Sequence, residues 1–513
     1  MAEQPLPPSG HRCFRLGVAR RSFHRIRALA SADGIPSAVP GCRDKIIESK
    51  VCGRSQGGKV MRPVCRIILL LVCATVLPFG AEAQRRVTLQ DFLGLVERGH
   101  PTLQAASLEP EQAQADVTAA RGGFDPFLSV NYDSKLYPGA DNSSSVSGSL
   151  TMPLDMMFGP RIKAGYSSYT FDSKTISTLP ASASLGVSMP LLQGIFTDTR
   201  RNSLRKAELR PDVASAQFRL DRNALLRSAA LRFIDWSEAS ELVDVADTLL
   251  ALAKRRQSFI LRRSLSGESA LIDSTEASQE VRRREGERLR SLRIAEQFGV
   301  DVKGFVFTSA NILAPDPFDS PSPLSGRVDS VRSTESAVNL AFGARPELRR
   351  AELSLRAARL DSSLAAEFMK PNLLFDANVY GYSAITPNYS VGLSIQQPLF
   401  FRQASAGVQT TAIAVNRSEF ALMLTQRIVE IDVRNALISL QRSLERRTIA
   451  EEEVRLARIM VNAEQTRFSS GDASLLTVNL RERFYGEALQ RLVSAKADVE
   501  RANIALLWAM GVI

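Results

Sequence analysis

Residues 402–469 read RQASAGVQTTAIAVNRSEFALMLTQRIVEIDVRNALISLQRSLERRTIAEEEVRLARIMVNAEQTRFS, without a proline and with one glycine, Gly407. Apolar residues return at steps of three and four: Val433, Leu437, Leu440 and Leu444, then Val454, Ala457, Val461 and Phe468. That spacing predicts one helix whose stripe is a coiled-coil seam. At about 1.5 Å of rise per residue the helix runs to roughly 100 Å, far beyond the depth of an ordinary domain. A coiled-coil scaffold could use such a helix, so what surrounds it decides the fold.

Upstream, residues 1–60 mix Pro, Gly and Arg without a sustained period and are read as an unstructured extension from a start codon assigned too early. Met61 opens a better beginning. Arg62 and Arg66 precede an apolar run, Ile67 to Leu77, too short to anchor in a bilayer; Pro78 and Gly80 break it, and Ala81 and Ala83 offer the small residues of a cleavage site before Gln84. Residues 61–83 are therefore read as a signal peptide. Cys73 interrupts the apolar core rather than following it, which argues against lipidation. Removing the leader lowers the formal charge from +11 to about +3, so the basic balance carries no argument for nucleic acid. All five cysteines (Cys13, Cys42, Cys52, Cys65, Cys73) also precede Gln84, leaving the exported chain without thiol or disulfide chemistry.

Downstream of the leader the chain is written twice. Pro101-Thr102-Leu103 opens an Ala-rich helix that ends at Phe124-Asp125-Pro126, and Pro346-Glu347-Leu348 opens another that ends at Met369-Lys370-Pro371. Proline is suited to a first helical turn and to the position just past a helix end. Each copy continues with β-type sequence, a Pro-Leu step (Pro190-Leu191, Pro398-Leu399), a long helix, an Arg-x-x-x-Gly turn (Arg263 to Gly267, Arg467 to Gly471) and a second helix. The first long helix, about Thr199 to Leu265, contains Pro211, which should kink it or sit in a frayed first segment. Pro315, Pro317, Pro321 and Pro323 mark an irregular connector between the copies. The domain reading is 84–299 for the first repeat, 300–344 for the linker and 345–513 for the second.

The β segments alternate. Leu128, Val130, Tyr132 and Leu136 fall on one face with Asn131, Asp133 and Lys135 on the other; Leu373, Phe375, Ala377 and Val379 alternate with Asn372, Asp376 and Asn378, and Tyr389, Val391, Leu393 and Ile395 return after a Thr386-Pro387-Asn388 turn. One apolar and one polar side suit a membrane barrel with a wet lumen as well as a half-buried soluble sheet. The first copy has room for two hairpins, the second for one, giving four to six strands per chain. A barrel needs at least about eight, so transmembrane strands here require several chains.

The order, duplication and spacing of these features, with the Phe124-Asp125-Pro126 entry and the Pro190-Leu191-Leu192-Gln193-Gly194 step, resemble the outer-membrane efflux protein family, the TolC-like exit ducts of Gram-negative bacteria. The resemblance spans about Val87 to Ile513. It implies an α+β membrane protein of two repeats per chain: a homotrimer whose short strands share one transmembrane β-barrel and whose antiparallel coiled-coil helices form an α-helical barrel across the periplasm. It further implies a passive conduit, serving tripartite efflux or type I secretion, with a periplasmic adaptor (membrane fusion) protein and an inner-membrane pump as partners. The hairpin tips at Arg263, Gly267, Arg467 and Gly471 would meet the adaptor. Family members often carry acidic residues six and nine positions after the second-repeat glycine, at a periplasmic constriction. Those positions are Thr477 and Leu480 here, whereas the first repeat has Asp273 and Glu276 at the same offsets.

The rest of the chemistry is sparse. The exported chain has one histidine, His100, no cysteine and no phosphate-binding Gly-x-x-x-x-Gly-Lys loop, so no enzyme activity, cofactor or metal is expected and energy for transport must come from a partner. Arg282-Arg283-Arg284-Glu285 reads as a solvated helix face, and Trp236 and Trp508 as packing residues. The competing reading is a soluble periplasmic coiled-coil scaffold or adaptor.

Overall fold

The computed structural model describes residues 86–513 apart from 137, 139–141, 173–177, 269, 308–317, 329–332 and 382–386. The upstream extension, the signal peptide and part of the linker lie outside the described residues.

The chain enters through β1 (Arg86–Val87) and α1 (Leu89–Gly99). Thr88 caps α1, its hydroxyl accepting from the Asp91 amide at 3.2 Å. The Pro101 helix, predicted as one piece, is two: α2 (Pro101–Ser107) and α3 (Glu109–Arg121). Pro110 in the first turn of α3 has no amide to give and crowds the preceding turn, so the ladder breaks at Leu108. Four strands follow, β2 (Phe127–Lys135), β3 (Asn142–Pro153), β4 (Arg161–Asp172) and β5 (Thr178–Pro190). Pro211 acts in the same way on the next helix: α4 (Thr199–Ala207) stops and α5 (Arg210–Leu265) restarts with Pro211 in its first turn. The hairpin closes with α6 (Leu271–Lys303).

The linker contributes β6 (Ser320–Pro321), parallel to β1. It is held by Phe318, 1 % exposed, whose ring lies among Phe92 and Trp236, with Phe233 stacked on Phe92 at 5.3 Å. The second repeat runs α7 (Thr334–Ala344), α8 (Pro346–Glu367), β7 (Asn372–Gly381), β8 (Asn388–Gln396), α9 (Arg402–Ser469) and α10 (Leu475–Met510). Helix α9 has the bounds and the 68 residues read from sequence.

Packing follows the seams. Val433, Leu437 and Leu440 of α9 are buried against Val499, Ala502 and Leu506 of α10 and against Ala337 and Ala341 of α7. Each large apolar side chain so buried contributes about 1.5–3 kcal/mol. Between the hairpins, α5 and α10 meet through Ala230, Ile234, Ala497 and Ile504, whose small members let the backbones approach. Trp236 sits in the aromatic cluster, and Trp508 lies between the guanidinium groups of Arg227 and Arg345, 4.3 and 4.4 Å from its ring centre. Among the described residues no helix is long and apolar enough to cross a membrane.

Candidate functional site

Six strands form one antiparallel sheet in the order β2-β3-β4-β5-β7-β8. Register fixes which side chains share a face: Leu128 opposes Leu150, Met152 opposes Ile162, Ile162 opposes Val187, Val187 opposes Ala377 and Ala377 opposes Val391. The face so defined is apolar across all six strands. The other carries Ser129, Asn131, Ser147, Ser149, Lys163, Ser167, Ser184, Asp376, Asn378 and Ser390. Its serines bond across strands, Ser129 to Ser149 and Ser167 to Ser182 at 2.7 Å, and Lys163 pairs with Asp376 at 3.4 Å. Among the described residues nothing covers the apolar face: Leu128, Val130, Leu185, Val391 and Ile395 are 59–73 % exposed. In water a surface of this extent is unstable; in lipid it is the expected outer wall. Among the described residues both edges, β2 and β8, lack a partner strand.

Where the sheet joins the helices, Arg201 of α4, itself buried, donates to the carbonyls of Gly194, Ile195 (3.0 Å) and Met156 (3.3 Å). Buried Glu367 at the end of α8 accepts from the Gly194 amide at 3.1 Å and pairs with Lys370. This collar joins the β3–β4 turn, the Pro190–Gly194 step and both repeats. A charged residue beside a polar, glycine-containing step gives no periodic signal, and sequence reasoning missed it.

At the opposite end of the long helices the two tips share one backbone geometry. Gly267 and Gly471 have φ of +78° and +89°; the Glu268 and Asp472 amides reach the Arg263 and Arg467 carbonyls at 2.9 Å. These are Schellman turns, so each motif arginine supplies a main-chain acceptor while its side chain stays near the turn, Arg263 beside Glu268 and Arg467 beside Glu464. Nothing lies within 4 Å of a Cβ placed on either glycine. Gly471→Ala and Gly267→Ala should each cost about 1 kcal/mol through the left-handed backbone alone, readable as a small shift in denaturant midpoint with an unchanged slope.

The four residues at the proposed constriction have separate surroundings. Asp273 lies in the first turn of α6, favourable to the helix dipole. Glu276 accepts from Asn479 of α10 at 3.1 Å, linking the hairpins, while Thr477 bonds to Ser474, the cap of α10, and Leu480 is exposed. Ile260, Ala277 and Leu475 pack the two tips together.

Sequence reasoning also missed a polar layer one to two turns above. Arg256 of α5 and Glu482 of α10, both 6 % exposed in their side chains, form an ion pair, and Gln465 of α9 donates to the second Glu482 oxygen at 3.3 Å. The signal was present: Arg256 takes the seam position between Leu249 and Ile260, and Glu482 the one between Val478 and Gly486. Higher on the same interface Arg501 bonds Asp235 and Glu238; burial alone would lower its pKa, but those hydrogen bonds hold it raised.

The Arg282–Glu285 stretch is only partly a solvated face. Arg284 is buried and pairs with Glu280 and Glu287 at 2.9 Å. Burial alone would raise the Glu280 carboxyl, but hydrogen bonding from Arg283 and the charge of Arg284 outweigh it and keep it low. His100 accepts from the Thr102 amide through Nδ1 at 3.3 Å, and burial lowers its pKa, favouring the neutral ring that this cap requires.

Residues 337–512 match the family model described as Outer membrane efflux protein. The pyoverdine export outer membrane protein OpmQ of Pseudomonas putida is 25 % identical over 329 residues, covering 58 % of this chain and 69 % of that protein. Among solved structures, the open state of the Neisseria gonorrhoeae outer membrane channel MtrE has a TM-score of 0.62 at 16 % identity, with 82 % of this chain and 88 % of that one covered. The Vibrio cholerae outer membrane protein VceC gives 0.61 at 15 % identity, with 82 % and 96 % covered. The outer-membrane channel OprN gives 0.61 at 14 %, with 82 % and 89 % covered.

Proposed function

We propose that the chain is an outer membrane efflux protein of the Gram-negative outer membrane, as its likenesses support, and that three copies form one passive exit duct, a shared β-barrel continued by an α-helical barrel across the periplasm. The observation that carries this reading is the sheet, uncovered and apolar on one side, polar on the other, and open at both edges. Unpaired strand edges are not tolerated in hydrocarbon, whereas β2 of one copy against β8 of the next satisfies both. The helices support the same assembly. Beyond its buried seam, α9 carries a second stripe, Ile413, Phe420, Leu424, Ile431, Ile438 and Leu456, exposed along most of its length and suited to a neighbouring hairpin.

In this reading the repeats are 84–299 and 345–513, joined by the 300–344 linker. An inner-membrane pump supplies the energy and a periplasmic adaptor couples it to the duct at Arg263, Gly267, Arg467 and Gly471. Asp273, Glu276, Thr477 and Leu480 stand at the closable periplasmic end, with an acidic contribution from the first repeat in place of the second. Efflux and type I secretion could share such a duct; the export role of the Pseudomonas putida relative favours efflux.

The test is to express the chain from Met61, fractionate the envelope and measure the mass of the extracted particle. A trimer released from outer membranes only by detergent is expected. A soluble periplasmic monomer or dimer would overturn the duct and restore the coiled-coil scaffold.

A further inference from the structure

The repeats are unequal where they supply the wall: the first gives four strands and the second two. Two repeats of the second kind would give four strands per chain and 12 for three copies. The additional hairpin of the first repeat could lie on the surface or belong to the wall, and three observations put it in the wall. Its strands are paired on both sides, β3 with the whole of β2 and with β4 from Asn142 to Pro153, and β4 with β5 from Arg161 to Ser167 and again at Tyr169 and Thr170 beyond one irregularity in register. Their apolar residues, Leu150, Met152, Ile162 and Tyr166, fall on the same face as those of β5, β7 and β8 and are 37–54 % exposed, so the alternation suited to lipid runs through them as far as the register shift after Ser167. The turn between them is fixed to the collar: Phe158 N–H donates to the Ile195 carbonyl at 3.3 Å and Arg201 reaches the Met156 carbonyl.

Resting on the shared-duct reading, we infer that each chain contributes six strands and that three copies close an 18-stranded barrel whose lumen takes bulky hydrophilic solutes. Strand direction permits the closure. Counting along the sheet, β2 and β8 run oppositely, so the joint between copies is antiparallel like every other pairing in the sheet. At about 4.8 Å between strands and a tilt of about 40°, 18 strands give a backbone diameter of roughly 36 Å, against roughly 24 Å for 12. Barrels of 16–18 strands leave an aqueous channel, whereas narrower ones fill increasingly with side chains. The lumen face is mainly serine and asparagine with a Lys163–Asp376 pair, so it offers hydrogen bonds with little net charge.

Single-particle imaging of the detergent-extracted trimer counts the strands directly. Eighteen are expected. A trimeric ring of 12, with one hairpin of each chain outside it, overturns the wide barrel and leaves the duct standing; absence of any ring overturns both. Cysteine pairs give a second reading, since the chain beyond Gln84 has no cysteine of its own. Val130→Cys should cross-link between chains to a cysteine scanned along β8. Cross-linking of β4 to the β8 of a neighbour, or of Val130→Cys to β5, would instead mean that a hairpin has left the wall.

Discussion

Arg256→Met is expected to destabilise the protein by about 3–5 kcal/mol, because it leaves the Glu482 carboxylate buried with only Gln465 to satisfy it. Both side chains are 6 % exposed, and Ile260, Leu475 and Val478 nearby are buried as well. The reverse change, Glu482→Leu, should cost a similar amount by stranding the guanidinium. Both together, Arg256→Met with Glu482→Leu, should recover most of the loss, since replacing a whole buried pair by apolar side chains of similar size is often neutral or stabilising. Loss of helical signal against denaturant in detergent, with all three variants in one double-mutant cycle, reads the coupling. A single variant costing less than about 1 kcal/mol would mean that water reaches Glu482 and that the layer is not dry. The pair has a further consequence. Apolar seams tolerate sliding by a turn, but an arginine must find its glutamate, so it fixes the register of α5 against α10.

That pair also shows where reading the sequence stops. The charged intruder in each seam is visible from local period alone, yet its partner lies 226 positions away, and nothing local tells which helix faces which. Helix α9 was legible to the residue because its signal is local: no proline, one glycine, an unbroken period and a glycine-ended turn. The break at Leu108 was legible in principle through Pro110, which the repeat comparison masked because α8, its counterpart, runs unbroken. Strand alternation was legible, and so was the spare hairpin. Sheet order was not, because β5 pairs with β7 across some 180 residues of intervening helix and linker. The tip motif was found by spacing, and its geometry shows the arginines serving through their carbonyls, which any residue could supply. Their side chains pair within the tips, Arg263 with Glu268 and Arg467 with Glu464, which spacing alone could not tell.

Leu185→Arg should abolish assembly in the outer membrane, whereas Ser184→Arg, one position along the same strand, should be tolerated. The two residues lie on opposite faces of β5: Leu185 opposes Ala164 and Val379 on the apolar side, and Ser184 opposes Gly165 and Tyr380 on the polar one. Near the middle of the strand an arginine facing hydrocarbon costs about 2–4 kcal/mol per site. Three copies carry it at once, and the total approaches the whole stability of an ordinary domain. An arginine facing a wet lumen keeps its hydration and adds only charge. The comparison holds strand, depth and substituted residue constant and changes the face alone. A soluble half-buried sheet predicts otherwise: Leu185, already 59 % exposed, would accept arginine as readily as Ser184 does. Quantifying both variants in outer-membrane fractions, with detergent-extracted trimer as the readout, separates the two. Equal recovery would remove lipid from the apolar face and with it the shared barrel.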